Sequence, residues 1–183
     1  MASDFSISHA AHIIRSGGII AYPTDTIYGL GCDPFDEEAV AILNDIKQRP
    51  ASKQFILLAG HIDQLSTLIE LDEEQRKTLM QTTIPTSWVI DAKPSAPHWL
   101  VGTEGTIAIR ICEQEDVQRL CHYLGHAIIS TSANPSGKPP ARNALELHRY
   151  FHNDVDKILA TNDKLTAPPS KVIRLCDNHI IRQ

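Results

Sequence analysis

Three stretches of the chain concentrate side chains that bind anions. Residues 22–31 read Y-P-T-D-T-I-Y-G-L-G, with two hydroxyls flanking a carboxylate. Residues 47–53 carry two lysines and an arginine around a proline, and residues 130–138 combine hydroxyls, an amide, a glycine and a lysine. Arginine binds phosphate or carboxylate bidentately, whereas lysine binds as a point charge. The three stretches therefore predict a site for an anionic substrate, although turn clusters of ordinary loops remain the alternative.

Such a site needs no protein nucleophile. The sequence has no G-x-x-x-x-G-K-[ST] loop, no complete G-x-G-x-x-G fingerprint and no H-E-x-x-H motif. His122/His126 and His148/His152 have i, i+4 spacing but no companion ligand, so we predict no protein-held metal. Positioning and electrostatics by cations, hydroxyls and amides suffice for phosphoryl or nucleotidyl transfer. We assign no general base.

Length and composition favour one domain covering residues 1–183. The chain is 42% hydrophobic, which is enough for a sizeable core. No apolar run approaches the roughly 20 residues that span a bilayer, and the N-terminus lacks a secretory pattern. The four cysteines form no C-x-x-C pair. We therefore expect a cytoplasmic protein with no membrane contact.

The net charge of −5 conceals a segregation of charges. Acidic residues cluster where helices are predicted to begin, which suits the helix dipole. Many basic residues fall instead in predicted loops or at strand ends: Lys47, Arg49, Lys53, Arg110, Lys138, Arg142, Lys171, Arg174 and Arg182. If these loops converge, the protein has a basic concave cleft that attracts an anionic substrate. Unrelated surface charges are the alternative.

Hydrophobic periodicity predicts a mixed α/β fold in one domain. Apolar runs predict strands, and amphipathic segments predict helices. The predicted strands are residues 19–22, 55–59, 86–90, 106–111, 127–129, 157–160, 172–175 and 180–182. The predicted helices are residues 6–16, 36–48, 61–69, 72–81, 113–124 and 143–151. This order favours a single mixed sheet with helices packed on it.

Two strands would carry polar groups to the site. Pro23 ends the first strand, which leaves Thr24, Asp25 and Thr26 at its carboxyl end. Thr106 and Arg110 lie four residues apart on one strand and therefore share a face. An arginine in the middle of a strand is costly to bury without an anionic partner, so this face is either a binding surface or exposed.

The motifs in this order resemble the YrdC family in its short bacterial branch. The resemblance rests on Y-P-T-D-T-x-Y-G-L-G at 22–31, K-x-R-P-x-x-K at 47–53 and S-T-S-A-N-x-S-G at 130–137. It implies an open, twisted mixed sheet flanked by helices, with a large basic concave cleft. It also implies synthesis of threonylcarbamoyl-adenylate from L-threonine, bicarbonate or CO2, and ATP, with Mg²⁺ accompanying the ATP. The product would serve tRNA modification next to the anticodon.

The resemblance assigns a role to individual residues. It implies threonine contacts for Thr26, Arg110, Ser132 and Ser170. It implies ATP contacts for Lys47, Arg49, Lys53, Thr106, Asn134, Arg142 and Arg182. Lys47 and Arg49 would also be catalytic, because they would stabilise charge on the leaving pyrophosphate.

The sequence departs from the family pattern at three places. Leu58 stands where many relatives have a histidine that contacts substrate. Thr83-Ile84-Pro85 replaces a Pro-Gly-Pro, and Pro169-Ser170-Lys171-Val172 only partly matches the usual Ser-Thr-Val-Val. These departures bear on substrate affinity more than on the reaction.

The implied partners are downstream tRNA threonylcarbamoyl-transfer proteins of the TsaB, TsaD and TsaE type. Two other functions stay open. One is a non-catalytic RNA-binding module that uses the basic cleft, although the chain has few aromatics for stacking. The other is a carbohydrate-phosphate enzyme, such as a dihydroxybutanone-phosphate synthase, which would need acidic residues around a metal.

Overall fold

The computed structural model describes residues 2–48, 54–161, 165 and 167–183. Arg49 and Lys53 therefore lie outside the described residues. In this part of the chain the helices are α1 (Asp4–Arg15), α2 (Glu37–Lys47), α3 (Glu73–Gln81), α4 (Glu115–Leu124) and α5 (Ala144–Phe151). The strands are β1 (Ile20–Pro23), β2 (Tyr28–Gly31), β3 (Ile56–Ala59), β4 (Thr86–Asp91), β5 (Thr106–Ile111), β6 (Ile128–Ser132), β7 (Lys157–Ile158), β8 (Lys171–Arg174) and β9 (Ile180–Arg182).

The strands form one mixed sheet in the order β7-β1-β2-β6-β3-β5-β4-β8-β9. β1 pairs parallel with β7, β3 with β5, and β4 with β8. The remaining neighbours pair antiparallel. The predicted mixed sheet flanked by helices is confirmed.

Two of the predicted loops are strands. Tyr28–Gly31 forms β2, which folds back on β1 as an antiparallel hairpin. Ser130–Ser132 continues β6 and pairs with β2 and β3. Glycine is required at Gly31, because a Cβ there would overlap the carbonyl oxygen of Ile129 and lie 2.9 Å from Cε1 of Tyr22. The close backbone approach expected of this stretch is thus an approach between strands.

Local capping chemistry sets the ends of the helices. Asp36 caps α2 and Asn143 caps α5, as their positions predict. Ser3 caps α1, so the predicted start at Ser6 or Ser8 is too late. The helix predicted over residues 61–69 is a 3₁₀ turn at Ile62–Leu65. No helix among the described residues is both long and apolar enough to cross a bilayer.

The two faces of the sheet differ in what covers them. On one face, β5 residues Ile107 and Ile109 join a buried cluster with side chains of α2, α3 and α5. On the other face, β1 residues Ile20 and Tyr22 pack with α1 and α4 in a second cluster. The part of this second face that α1 and α4 leave uncovered forms the floor of a cavity. Alternation along each strand separates core side chains from cavity side chains.

Candidate active site

The cavity has a volume of about 690 Å³ and lies across the middle of the sheet. Its walls come from the β1–β2 hairpin, strands β3, β5 and β6, the loop before β5, and the β8–β9 hairpin. A volume of this size lies within the range of roughly 300–1,000 Å³ typical of small-molecule sites. The uncovered sheet face is therefore the candidate active site.

Six residues predicted for the site line this cavity. They are Thr26, Thr106, Arg110, Ser132, Ser170 and Arg182. Thr106 is 9% exposed and Arg110 is 5% exposed, so the strand face that they share is not a solvated surface but lines the cavity. Side chains from four regions that are distant in sequence thus meet in one place.

Arg110 lies at the floor of the cavity. Its guanidinium forms an ion pair with Asp25 through Nη2. Nη1 and Nη2 lie 3.3 and 3.4 Å from Oγ1 of Thr26, respectively, whereas Nε has no hydrogen-bond partner among the described residues. Burial lowers the pKa of Arg110, and the nearby charge of Arg182 adds to this effect. The side chain remains a cation, because arginine starts from a very high pKa.

The segment that leads into β8 is held by contacts with β4 and β9. Oγ of Ser170 lies 2.9 Å from Oγ of Ser87, which is fully buried on β4. Nη2 of Arg182 donates to the carbonyl oxygen of Ser170 at 2.8 Å. Partial burial lowers the pKa of Arg182. These contacts fix one wall of the cavity, since they tie β9 to the segment that leads into β8.

Lys47 and Asn134 form a network next to the cavity wall. Nζ of Lys47 donates to the carbonyl oxygen of Ser132 at 2.5 Å, to Oδ1 of Asn134 at 3.1 Å and to the carbonyl oxygen of Asn134. Oγ of Ser132 donates to Oδ1 of Asn134 at 2.6 Å, and Nδ2 of Asn134 donates to the carbonyl oxygen of Lys138 at 2.6 Å. Lys47 is 7% exposed and lies behind the wall residue Ser132. The structure thus gives Lys47 a part in holding the loop after β6.

The predicted convergence of basic residues is partial. The described wall residues include three arginines, Arg110, Arg174 and Arg182, and one carboxylate, Glu104. Lys138, Arg142 and Lys171 are not among the wall residues, and the backbone N–H of Arg142 donates to Glu146 on α5 instead. The described wall therefore carries an excess of positive charge, which comes from three arginines.

Several wall residues were given no individual role by the family resemblance, although Arg174 was among the basic residues expected to converge on the cleft. Arg174 lines the cavity and forms ion pairs with Glu104 at 3.5 Å and Asp177 at 3.4 Å. Gln54 and Ser130 also line it. A signal for Arg174 was present, since it lies four residues after Ser170 in a predicted strand. Gln54 gave no such signal, because its side chain is held by a distant strand: Nε2 of Gln54 donates to the carbonyl oxygen of Thr106, the first residue of β5, at 2.5 Å.

The departures from the family pattern lie at different distances from the cavity. Leu58 is 1% exposed and packs in the cluster beneath α1 and α4, so it is not a wall residue. Residues 83–85 precede β4 outside the cavity, and Ile84 is 59% exposed. Pro169 and Val172 line the cavity. Across the described ranges, no group of three or more His, Cys, Asp or Glu residues could hold a metal ion.

The open mixed sheet and its arginine-lined cavity define an α/β protein whose uncovered sheet face is suited to an anionic small molecule. The comparisons with known proteins make this class specific. The chain belongs to the Sua5/YciO/YrdC family, since the model of that family, described as "Telomere recombination", matches residues 12–183. The resemblance found in the sequence motifs is confirmed.

Relatives with curated names match this chain over nearly the whole length of both sequences. "Threonylcarbamoyl-AMP synthase" of Cellvibrio japonicus is 40% identical over 178 residues, which is 96% of this chain and 94% of the relative. The protein of the same name from Pseudomonas aeruginosa strain UCBPP-PA14 is 40% identical over 184 aligned positions, covering 100% of this chain and 99% of the relative.

Solved structures match the fold. Escherichia coli YciO superposes with a TM-score of 0.89 at 28% identity, covering 100% of this chain and 91% of that chain. P. abyssi Sua5, solved as a complex with L-threonine, superposes with a TM-score of 0.88 at 29% identity. The match covers 97% of this chain and 53% of Sua5, so the chain spans about half the length of that protein.

Proposed function

We propose that the protein is a threonylcarbamoyl-AMP synthase. It condenses L-threonine, bicarbonate or CO2, and ATP to L-threonylcarbamoyladenylate and pyrophosphate. The observation that carries the proposal is a buried arginine beside hydroxyl groups on the floor of a cavity of about 690 Å³. Relatives named threonylcarbamoyl-AMP synthase at 40% identity over nearly their whole length support the assignment.

The floor of the cavity would bind threonine. Arg110 offers a planar cation that suits the substrate carboxylate. The hydroxyl groups of Thr26, Ser132 and Ser170 offer donors and acceptors for its amine and hydroxyl groups. This proposal is supported by the burial of Arg110, because a carboxylate binds more strongly to a cation that is shielded from water. A Sua5 structure contains L-threonine, which is consistent with this proposal.

The remaining walls would bind ATP. Thr106 and Arg182 line the cavity, and Asn134 lies beside it in the network of Lys47. Arg142 is not a wall residue but is also proposed to contact ATP. Arg49 and Lys53, which lie outside the described residues, are proposed to contact its phosphates. Mg²⁺ would enter with ATP, held by phosphate oxygens and water.

The proposed reaction needs positioning rather than a covalent intermediate. The amine of threonine adds to CO2 and loses a proton to solvent to give a carbamate, and a carbamate oxygen attacks the α-phosphorus of ATP. The bond from that phosphorus to the pyrophosphate oxygen breaks, and pyrophosphate leaves with the electron pair. Lys47 and Arg49 would stabilise the charge that develops on the leaving group. Lys47 would do so indirectly, by holding the loop that contains Asn134. Arg110 would hold threonine in line for attack.

The product would feed threonylcarbamoylation of the adenosine next to the anticodon of tRNA. In this proposal the protein acts in the cytoplasm and supplies the adenylate to transfer proteins of the TsaB, TsaD and TsaE type.

A non-catalytic RNA-binding module is less well supported. The described wall includes Tyr28 as its one aromatic ring other than a histidine, whereas binding of single-stranded RNA uses several stacking platforms. A metal-dependent carbohydrate-phosphate enzyme finds little support in a wall with one described carboxylate, Glu104.

Pyrophosphate release tests the proposal. The purified protein is incubated with ATP and Mg²⁺, and threonine and bicarbonate are added singly and together. We expect pyrophosphate only when both are present, with serine a poor substitute for threonine. Release that needs neither co-substrate, or equal turnover with serine, contradicts the assignment. Binding of RNA with no pyrophosphate release favours the RNA-binding module.

A further inference from the structure

The ion pair between Asp25 and Arg110 joins two distant parts of the sheet. Asp25 belongs to the loop of the β1–β2 hairpin, and Arg110 belongs to β5. In the sheet order, β6 and β3 lie between β2 and β5. The hairpin loop therefore reaches over two strands to place a carboxylate against the guanidinium.

Asp25 contacts Arg110 from outside the cavity wall. Arg110 is a wall residue of the cavity and Asp25 is not. The same carboxylate oxygen, Oδ1, lies 3.4 Å from Sγ of Cys112, which is fully buried in the cluster beneath α1 and α4. The Asp25 side chain is 21% exposed, against 6% for that of Arg110. The carboxylate thus contacts the guanidinium without forming part of the substrate surface.

We propose that Asp25 is a positioning residue, which fixes the guanidinium of Arg110 so that its remaining N–H groups meet the substrate carboxylate. The inference rests on the proposed function, because it takes Arg110 to be the carboxylate-binding group. An arginine has many rotamers, and holding one of them in advance lowers the entropy lost on binding. The contacts with Thr26, at 3.3 and 3.4 Å, are long enough for a substrate carboxylate to replace them while the Asp25 bond persists.

Two opposite effects of the Asp25 charge can be separated. A carboxylate next to Arg110 weakens its attraction for a second carboxylate, so by charge alone Asp25→Asn would strengthen threonine binding. Positioning predicts the reverse. We take positioning to dominate, since the ion pair with Asp25 is the main contact of the guanidinium among the described residues and its contacts with Thr26 are long, at 3.3 and 3.4 Å. Among the described residues, Asp25 is the carboxylate within ion-pair distance of Arg110.

The test compares L-threonine with L-threoninamide, which lacks the carboxylate. Titration calorimetry measures both ligands, and ATP, on the wild type and on Asp25→Asn. We expect the preference for threonine over its amide to fall by about tenfold or more in Asp25→Asn, through weaker threonine binding alone. Affinity for the amide and for ATP should stay the same. An unchanged or increased preference overturns the inference, and equal losses for all three ligands indicate a structural role and overturn it too.

Asp33→Asn is the matched control. Its carboxylate is 17% exposed and follows the same hairpin, but it lies 3.7 Å from His126 and, unlike that of Asp25, is not paired with Arg110. We expect it to leave the preference for threonine unchanged. A loss in this variant equal to that in Asp25→Asn also overturns the inference.

A measurement on the wild-type protein covers the case in which Asp25→Asn does not fold. Nitrogen NMR of the Arg110 side chain, assigned with Arg110→Lys, reports rotation of the guanidinium in the threonine-free protein. Restricted rotation supports positioning, and free rotation overturns it. The pyrophosphate assay distinguishes failure of this inference from failure of the proposed function. If the wild type releases no pyrophosphate but prefers threonine over threoninamide in a way that depends on Asp25, only the proposed reaction is refuted.

Discussion

Replacing Lys47 by methionine should destabilise the protein, although Lys47 lies at a helix end. The substitution keeps the length of the side chain and removes an ammonium that donates to three oxygen atoms of residues 132–134. The Ser132 carbonyl keeps the N–H of Asn134, and Oδ1 of Asn134 keeps the Ser132 hydroxyl. The loss therefore falls mainly on the Asn134 carbonyl. A hydrogen bond from a charged group contributes about 1.5–3 kcal/mol, so we expect a loss of about 2–3 kcal/mol.

That loss corresponds to a fall in melting temperature of about 4–12 °C for a domain of this size. Urea denaturation followed by circular dichroism measures the free energy, and a thermal scan gives the melting temperature. Lys77→Met is the matched control, because Lys77 is an exposed lysine on α3. We expect it to change stability by less than about 0.5 kcal/mol.

The same variant tests how Lys47 serves the reaction. If its ammonium acts by holding the loop at Asn134, Lys47→Met should lose stability and turnover together. A stability equal to that of Lys77→Met, with ATP affinity strongly reduced, would refute the buried network and restore a direct phosphate contact.

Three further predictions address substrate binding, leaving-group charge and pH. Arg110→Lys keeps the charge but not the fork, so we expect threonine affinity to fall strongly with little change for ATP; calorimetry showing equal losses would argue against the carboxylate role. Arg49→Ala should lower turnover about 10²-fold in the pyrophosphate assay, and near-normal activity would argue against a role at the leaving group. Burial raises the pKa of Cys121 to about 12 from a reference of 9.0. Its contribution to stability is therefore complete below pH 9 and is lost towards about pH 12, at up to about 1.4 kcal/mol per pH unit. Urea midpoints should fall over this range less steeply in Cys121→Ala, and identical slopes would contradict the prediction.

The parts of the fold that depend on local chemistry were predictable. Asp36 and Asn143 cap the helices that they were expected to cap, because an N-cap bond involves only the next three residues. Alternation along residues 106–111 correctly separated Thr106 and Arg110 from the isoleucines between them. Burial of the polar face was left open, because it depends on elements far away in the sequence.

The errors come from long-range pairing. Residues 28–31 include two glycines and have little intrinsic tendency to form a strand, yet they form β2 because β1 and β6 pair with them on either side. The burial of Lys47 at the end of α2 was not predicted. Its burial depends on the path of residues 132–134, some 85 positions later in the chain.

Six of the predicted site residues line the cavity. They could be predicted because the motifs match the family in order and spacing. Periodicity alone brought together only Thr106 and Arg110. The partner of Arg110 was not predicted, because Asp25 reaches it across β6 and β3 and nothing in the local sequence indicates that crossing. Arg49 and Lys53 lie outside the described residues, so their roles stay predictions.

The order of the strands also bears on when the cavity is completed during synthesis. β7 joins the sheet beside β1, whereas β8 and β9 join it at the opposite edge, beside β4. Ser170 and Arg182, which hold one wall, come late in the sequence and are translated long after the hairpin that carries Thr26. A nascent chain on the ribosome can build the centre of the sheet early, but it cannot close the cavity until residue 182 has emerged. Nucleotide or amino acid can stabilise the chain only once β9 has joined the sheet, so ligand-assisted folding is confined to the stage after residue 182 has emerged.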